Sequence, residues 1–298
     1  MALLLTGAIQ LGMIYAIMAM GVFISFRILN VPDLTVEGSF TLGVAVSAVV
    51  ATKGHPVLAL FCALLAGAAA GLVTSFLHTK IRIQTILAGI LTMTSLYTIN
   101  LAIMGGRANI SLFASETVLT LLEKSTGLSS GMVKTIVTVA VTAIVFALLS
   151  LFFKTRFGLK IRATGDNEEM VRASSINASV TKCAGLMLGN ACVALSGAML
   201  CQYQKSADIS LGAGMVVVGL ASVIIGEALV GKRNVILGIL SVVVGSVAYQ
   251  IIIAIALKVR LLPAYGLKLI SACIVAISLT LPVVRDEIKK VRRGKKNV

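Results

Sequence analysis

Long apolar runs alternate with short polar breaks along almost the whole chain. Segments such as LALFCALLAGAAAGLVTSFL and VKTIVTVAVTAIVFALLSLFF reach the roughly 20 apolar residues a helix needs to cross a bilayer. The pattern predicts spans near residues 3–25, 40–52, 57–77, 84–104, 133–153, 183–203, 214–231, 234–257 and 262–284. Barrel strands of period two do not fit it, and neither does a cleavable signal peptide, because the first apolar segment lacks a charged leading region and is followed by others like it. The expected fold is therefore an all-α polytopic membrane protein of about nine transmembrane helices, one transmembrane domain over residues 1–298.

The second span breaks the pattern. Only about 12 apolar residues long, it cannot cross alone, and it follows RILNVPDLTVEGSF, which carries Pro32, Asp33, Glu37 and Gly38. Two readings fit: a broken helix, or a plain loop leading into a tilted helix. An internal echo favours the first. DLTVEGSF at 33–40 is matched by DISLGAGM at 208–215, and alternation of the spans gives the two copies opposite directions, the arrangement of an inverted repeat. Polar residues inside other spans are Thr92, Thr94, Ser95, Tyr97 and Asn100, with Asn190 and Ser196 further on. Such residues either hold helices together or line a solute path. The candidates for a path are Asp33, Thr35, Glu37, Ser39, Thr94, Asn100, Asn190 and Asp208.

Composition agrees: 58% of the residues are hydrophobic and 12% charged, against roughly 25% charged in soluble domains. The net charge of +15 is spread over the breaks between spans and a basic tail at 285–298. It reads as topogenic charge, not a nucleic-acid surface. With the tail on the cytoplasmic side, alternation places 18 of the 26 Lys and Arg residues inside, as the positive-inside rule requires. The five cysteines all fall in apolar segments and read as small core residues, and His55 and His78 show no metal-ligand spacing. GEALVGKR, from Gly226 to Arg233, ends in Arg where a phosphate loop needs Ser or Thr, and no strand precedes it. Glu227 within it is either neutralised by Lys232 or Arg233 or used in transport. No catalytic constellation is present, so an enzyme is not expected.

The longest polar stretch is FKTRFGLKIRATGDNEEMVRASSINASVTK, residues 153–182. Within it residues 166–176 are expected to form a short helix capped by Asp166, with Glu169 closing a capping box, Glu168 favouring the dipole, and Met170, Ala173 and Ile176 making a small apolar stripe. That helix suits a partner's groove, or it rests on lipid headgroups through Arg156, Lys160, Arg162 and Arg172.

TRFGLKIRATGDNEEMVRASSINASVTKCAGLMLGNACVALSGAML closely resembles the central region of permease subunits of the branched-chain amino acid and sugar class of ABC importers, in which FG-x-x-x-RA-x-G-D/E-N is followed by A-x-x-x-G-I-N. GMIYAIMAMGVFISFRILNVPDLTVEGSFTLG and GLASVIIGEALVGKRNVILGIL are similar to two further landmarks of that class, and the start on the first of these points to its amino acid branch. Ser175 departs from the pattern, standing where the class has glycine. The resemblance implies a non-catalytic permease in a bacterial plasma membrane that dimerises, homodimer included, and receives a branched-chain or aromatic amino acid from an extracytoplasmic binding protein. It also implies separate ATPase subunits that carry the ATP and magnesium, with no cofactor in this chain. Segment 154–182 would then be the coupling segment, with Asp166, Asn167, Glu168, Glu169, Met170, Arg172, Ala173 and Ile176 meeting the ATPase. An ion-coupled secondary transporter is the alternative, with Asp33, Glu37 or Glu227 as coupling carboxylates.

Overall fold

The structure is a computed structural model that describes residues 2–231 and 234–258, with Ala276 and Thr280 beyond them. The ninth expected span, the basic tail and the side chains of Lys232 and Arg233 lie outside the described residues. Among the described residues, seven helices are long and apolar enough to cross a membrane. They are α1 (Ala2–Val22, continued by a π turn Phe23–Ile28), α2 (Thr35–Thr52), α3 (Pro56–Thr79), α4 (Thr85–Ile103), α6 (Ser130–Phe152), α9 (Ala178–Gln204) and α11 (Val235–Lys258). An eighth, α10 (Met215–Val230), has 16 residues and spans about 24 Å at 1.5 Å per residue, short of a full crossing. Each expected span within the described residues thus has its helix. The second starts at Thr35 instead of residue 40, because its first turn carries Thr35 and Glu37, which an apolar count leaves out, and at 18 residues it is long enough to cross, contrary to the expectation that it is too short to cross alone.

Burial separates a centre from a periphery. The apolar windows of α1, α2 and α9 are 72%, 72% and 78% buried, while those of α3, α4 and α6 are only 28–33% buried and leave their outer faces to lipid or a partner. Such close packing of α2 on α9 needs glycine. A Cβ at Gly43 would strike the Ala194 carbonyl and one at Gly197 the Phe40 carbonyl, so any side chain at either position would push the two backbones apart. Tyr15 stacks on Phe40 at 6.3 Å, which seats α1 against the same pair.

The breaks carry structure of their own. On one face of the bundle, β1 (Asn109–Ser111) pairs antiparallel with β2 (Ser206–Asp208), Ile110 opposite Ala207. Beside this ribbon sits α5 (Val118–Thr126), which begins on a Thr117–Thr120 capping box and ends on Gly127 in the left-handed region. On the opposite face, which we call the island face, the polar stretch folds into α7 (Arg156–Asp166) and α8 (Glu168–Ala173).

Candidate functional site

The site grows from the place where two short helices begin inside the bundle. Asp33 is fully buried. One carboxylate oxygen accepts the Thr35 backbone N–H at 2.9 Å, closing a turn that starts α2, and the other accepts Asn190 Nδ2 at 2.7 Å from the middle of α9. Asn190 Oδ1 in turn accepts the Ser39 hydroxyl at 2.7 Å, and Thr35 Oγ1 lies 2.7 Å from Thr74 Oγ1 on α3. From α4, Asn100 donates to the Gly38 carbonyl at 3.3 Å. A carboxylate in a lipid-embedded bundle is tolerated when its acceptors are filled, and here every partner is a neutral donor. The cluster fixes the start of α2 against three neighbours.

Glu37 faces another way. Half-buried, it accepts the Gly214 backbone N–H at 3.0 Å, just where the segment after β2 dips into the bundle and turns into α10. A Cβ at Gly212 would strike the Glu37 carbonyl, so the second segment touches the first turn of α2 directly. From this meeting point the two helices diverge. Ser47 of α2 reaches Gln202 near the ribbon face (3.3 Å), whereas Glu227 of α10 accepts Arg27 Nε on the island face at 2.7 Å. Both helices therefore begin beside Glu37, so their positive amino-terminal ends meet in one region.

Six of the eight residues expected on a path come together: Asp33, Thr35, Ser39 and Asn190 in the buried network, Asn100 beside it, and Glu37 at the junction. Two do not. Thr94 is exposed and spends its hydroxyl on the Ile90 and Leu91 carbonyls of its own helix, because the inward stripe of α4 is Ala88, Thr92, Leu96 and Asn100. Asp208 sits at the end of β2, where it accepts the Ser210 backbone N–H at 2.7 Å, and it is Gly212 and Gly214, further along the segment, that meet the first turn of α2. Burial matters little there, and the hydrogen bonds from Ser210, hydroxyl first, hold the Asp208 carboxyl below its ordinary value.

On the island face the helix expected over 166–176 is the shorter α8, and a second helix, α7, precedes it. Asp166 is the last residue of α7, not a cap; Asn167 caps α8, accepting the Met170 N–H at 3.0 Å. The capping box with Glu169 does not form, and Ile176 lies past the end of α8. Glu168 is the working carboxylate: it accepts Lys182 Nζ at 2.6 Å and Arg172 at 2.7 Å. The Lys182 bond, followed by that of Arg172, holds its carboxyl below the usual range and ties α8 to α9. Val171 points inward while Met170 stands 57% exposed, with Glu169, Arg172 and Ala173 also exposed. Ser175 holds φ 59°, the left-handed backbone that glycine adopts without strain.

Contacts that sequence spacing did not reveal connect this face to the buried network. A Cβ at Gly165 of α7 would strike the Ile28 carbonyl, and Asn30 Nδ2 donates to the Gly165 carbonyl at 3.0 Å. Residues 28–30 lead straight to Asp33. Thr164 and Thr181, 2.7 Å apart, join α7 to α9. The Arg27–Glu227 pair bounds a cleft that also holds Arg162 and Asp166. Glu227 thus has a partner 200 positions away in the sequence, which no local pattern could signal.

The comparisons with known proteins extend over nearly the full length. Residues 4–278 match the family model described as the permease component of branched-chain amino acid transport systems. The chain is 39% identical over 280 residues to a tyrosine transport system permease protein of Clostridioides difficile, covering 93% of this chain and 91% of that one. It is 32% identical over 283 residues to an uncharacterised protein of Rickettsia prowazekii, covering 93% and 97%. A nucleoside ABC transporter permease of Lactococcus lactis is 34% identical over 88 residues, 28% of each chain. No solved structure matches. On a match of this extent, and on a fold of membrane-spanning helices, the chain belongs to the family of permease components of branched-chain amino acid transport systems.

Proposed function

We propose that the chain is the membrane-spanning subunit of an ATP-driven importer for an amino acid of the aromatic class, driven by separate ATPase subunits that dock on α8. The observation that carries the reading is the construction of α8. It is capped by Asn167 and held to α9 through Glu168, yet it leaves Met170 uncovered at 57% exposure. A two-turn helix gains little stability alone, so an exposed apolar side chain on a firmly anchored one suits a partner's groove. The aromatic class is supported by the tyrosine transport relative.

Orientation follows from charge. The island face carries Arg27, Lys80, Arg82, Lys154, Arg156, Lys160, Arg162, Arg172 and Lys182, the ribbon face only Lys53, Arg107, Lys124, Lys134, Lys205 and Lys258 among the described residues, and by the positive-inside rule the former is the cytoplasmic one. A binding protein then delivers solute to the ribbon face. Glu37 and the exposed Gly214 border the surface of the single chain, which supports a path completed by a second copy. In that path Glu37 meets the substrate ammonium, and the amino-terminal ends of α2 and α10 favour its carboxylate. Closure of the ATPase moves α8 and α7, and Gly165 passes the motion to residues 28–30 and so to the start of α2.

The test is uptake into proteoliposomes holding the permease, its ATPase and its binding protein. Tyrosine should accumulate only with ATP on the ATPase side. Accumulation driven by a proton or sodium gradient without ATP would make the chain a secondary transporter instead.

A further inference from the structure

On the island face the turn between α3 and α4 and the start of α9 enclose a polar cleft that shares a wall with an adjacent apolar groove. The polar part is lined by His78, Arg82, Arg172, Asn177 and Lys182, with Glu168 as its carboxylate. The apolar part, between α3 and α9, is lined by Leu72, Phe76, Val180, Cys183 and Met187, with Lys80 at its mouth. Thr79, Asn177 and Ser179 belong to both. We propose that the cleft and groove together bind one anionic phospholipid, its phosphate between Arg82, Lys80 and Lys182 and one acyl chain along the groove of α3 and α9.

Charge and shape both lead there. Three cations, Arg82, Arg172 and Lys182, line the polar cleft with a single carboxylate, Glu168, already engaged by two of them, and Lys80 borders the adjoining groove. Lys80 and Arg82 make no ion pair among the described residues and stand exposed at the end of a membrane helix, the level of lipid headgroups. Ser75, which borders the groove one turn below Thr79, is fully buried, and its hydroxyl has no partner. An ester carbonyl of a glycerolipid is an acceptor of the right kind at that depth. Free phosphate would satisfy the cations but leave the groove and Ser75 unused, so the surface is matched to a lipid. The bound headgroup would lie against Arg172 and Lys182, the residues that hold α8 in place, so occupancy would steady α8. None of this depends on what the chain transports.

The experiment is native mass spectrometry of the delipidated full-length protein titrated with phosphatidylglycerol, with phosphatidylcholine of the same chains, and with inorganic phosphate. One phosphatidylglycerol per chain should be retained where phosphatidylcholine adducts are about tenfold rarer, and inorganic phosphate should not displace it. Lys80→Gln with Arg82→Gln, both exposed turn positions, should lower retention about tenfold or more. Lys154→Gln with Arg156→Gln removes the same charge elsewhere on that face and should leave retention unchanged. Val180→Trp, which fills the groove, should weaken phosphatidylglycerol binding as well. Equal retention of the two lipids, or equal losses in the two double variants, would overturn the site in favour of diffuse attraction. Displacement by phosphate with no effect of Val180→Trp would leave only a free-anion site and equally sink the proposal.

Discussion

The starts of α2 and of the segment leading to α10 share a local device and differ in everything built on it. Asp33 accepts the N–H of Thr35, and Asp208 accepts the N–H of Ser210, the same turn from the same Asp-[Leu/Ile]-[Thr/Ser] opening. In the first copy α2 begins at once, at Thr35, and the aspartate is sealed among Asn190, Ser39 and Thr74. In the second the chain runs on through Gly212 and Gly214 before α10 begins at Met215, and the aspartate stays on the ribbon at the surface. A shared motif thus specifies a shared turn, while the residues that follow decide whether the carboxylate becomes a bundle anchor or a surface cap.

The sharpest way to break the comparison is to remove each aspartate. Asp33→Ala strips acceptors from Asn190 and Thr35 inside the bundle and should destabilise the protein by roughly 2–4 kcal/mol, the penalty for stranded buried donors, whereas Asp208→Ala should lie within about 1 kcal/mol of wild type. Thermal unfolding in detergent measures both, and equal losses would contradict the contrast.

Next comes Glu37→Gln, which keeps an acceptor for Gly214 but removes the charge. Uptake should fall about tenfold, the worth of roughly 1.4 kcal/mol, with the unfolding midpoint unchanged. Wild-type uptake would leave Glu37 as a strut between the two starts and nothing more.

Gly214→Ala is smaller. Gly214 holds φ 87° and an added Cβ meets nothing within 4 Å, so only backbone strain is introduced, about 1 kcal/mol. Calorimetry should register that loss. At position 43 the same change should be much worse, since it meets the Ala194 backbone.

Acid gives the smallest effect. Because folding lowers the Asp208 pKa below its ordinary 3.8, the turn's contribution is complete above that value and fades as pH falls through the lowered one. Protection of the amides at residues 208–212, measured relative to their intrinsic exchange rates at each pH, should therefore weaken only below pH 3.8, and a loss of protection near neutrality would point to another titrating group.

Much of this was legible in the sequence. Apolar length alone located each span within the described residues, and the DLTV/DISL echo marked two turns of the same kind. Helix α5 went unnoticed because its capping box uses Thr120, where the familiar signature has Glu or Gln, and because nine residues are too few for a span. Asp166 and Asn167 are adjacent cap formers, and the sequence does not distinguish them. The structure does, since α7 continues through Asp166 and leaves Asn167 to start α8. Asp208 was misplaced for the reason the comparison gives: the motif encodes a turn, and the depth of that turn is set by the chain after it. The Arg27–Glu227 and Asn30–Gly165 contacts depend on folding distant segments together.

The claim on which the account rests is that α8 receives the ATPase. Met170→Asp puts a charge at the exposed position of that helix without touching Asn167 or Glu168, so the permease should insert and fold as before. In a reconstituted complex, an unpaired charge in a desolvated groove should weaken docking by several kcal/mol. The measurement is ATP hydrolysis stimulated by the loaded binding protein. The account predicts that stimulation and uptake collapse together in the Met170→Asp complex, and wild-type stimulation with normal copurification of the ATPase would contradict it.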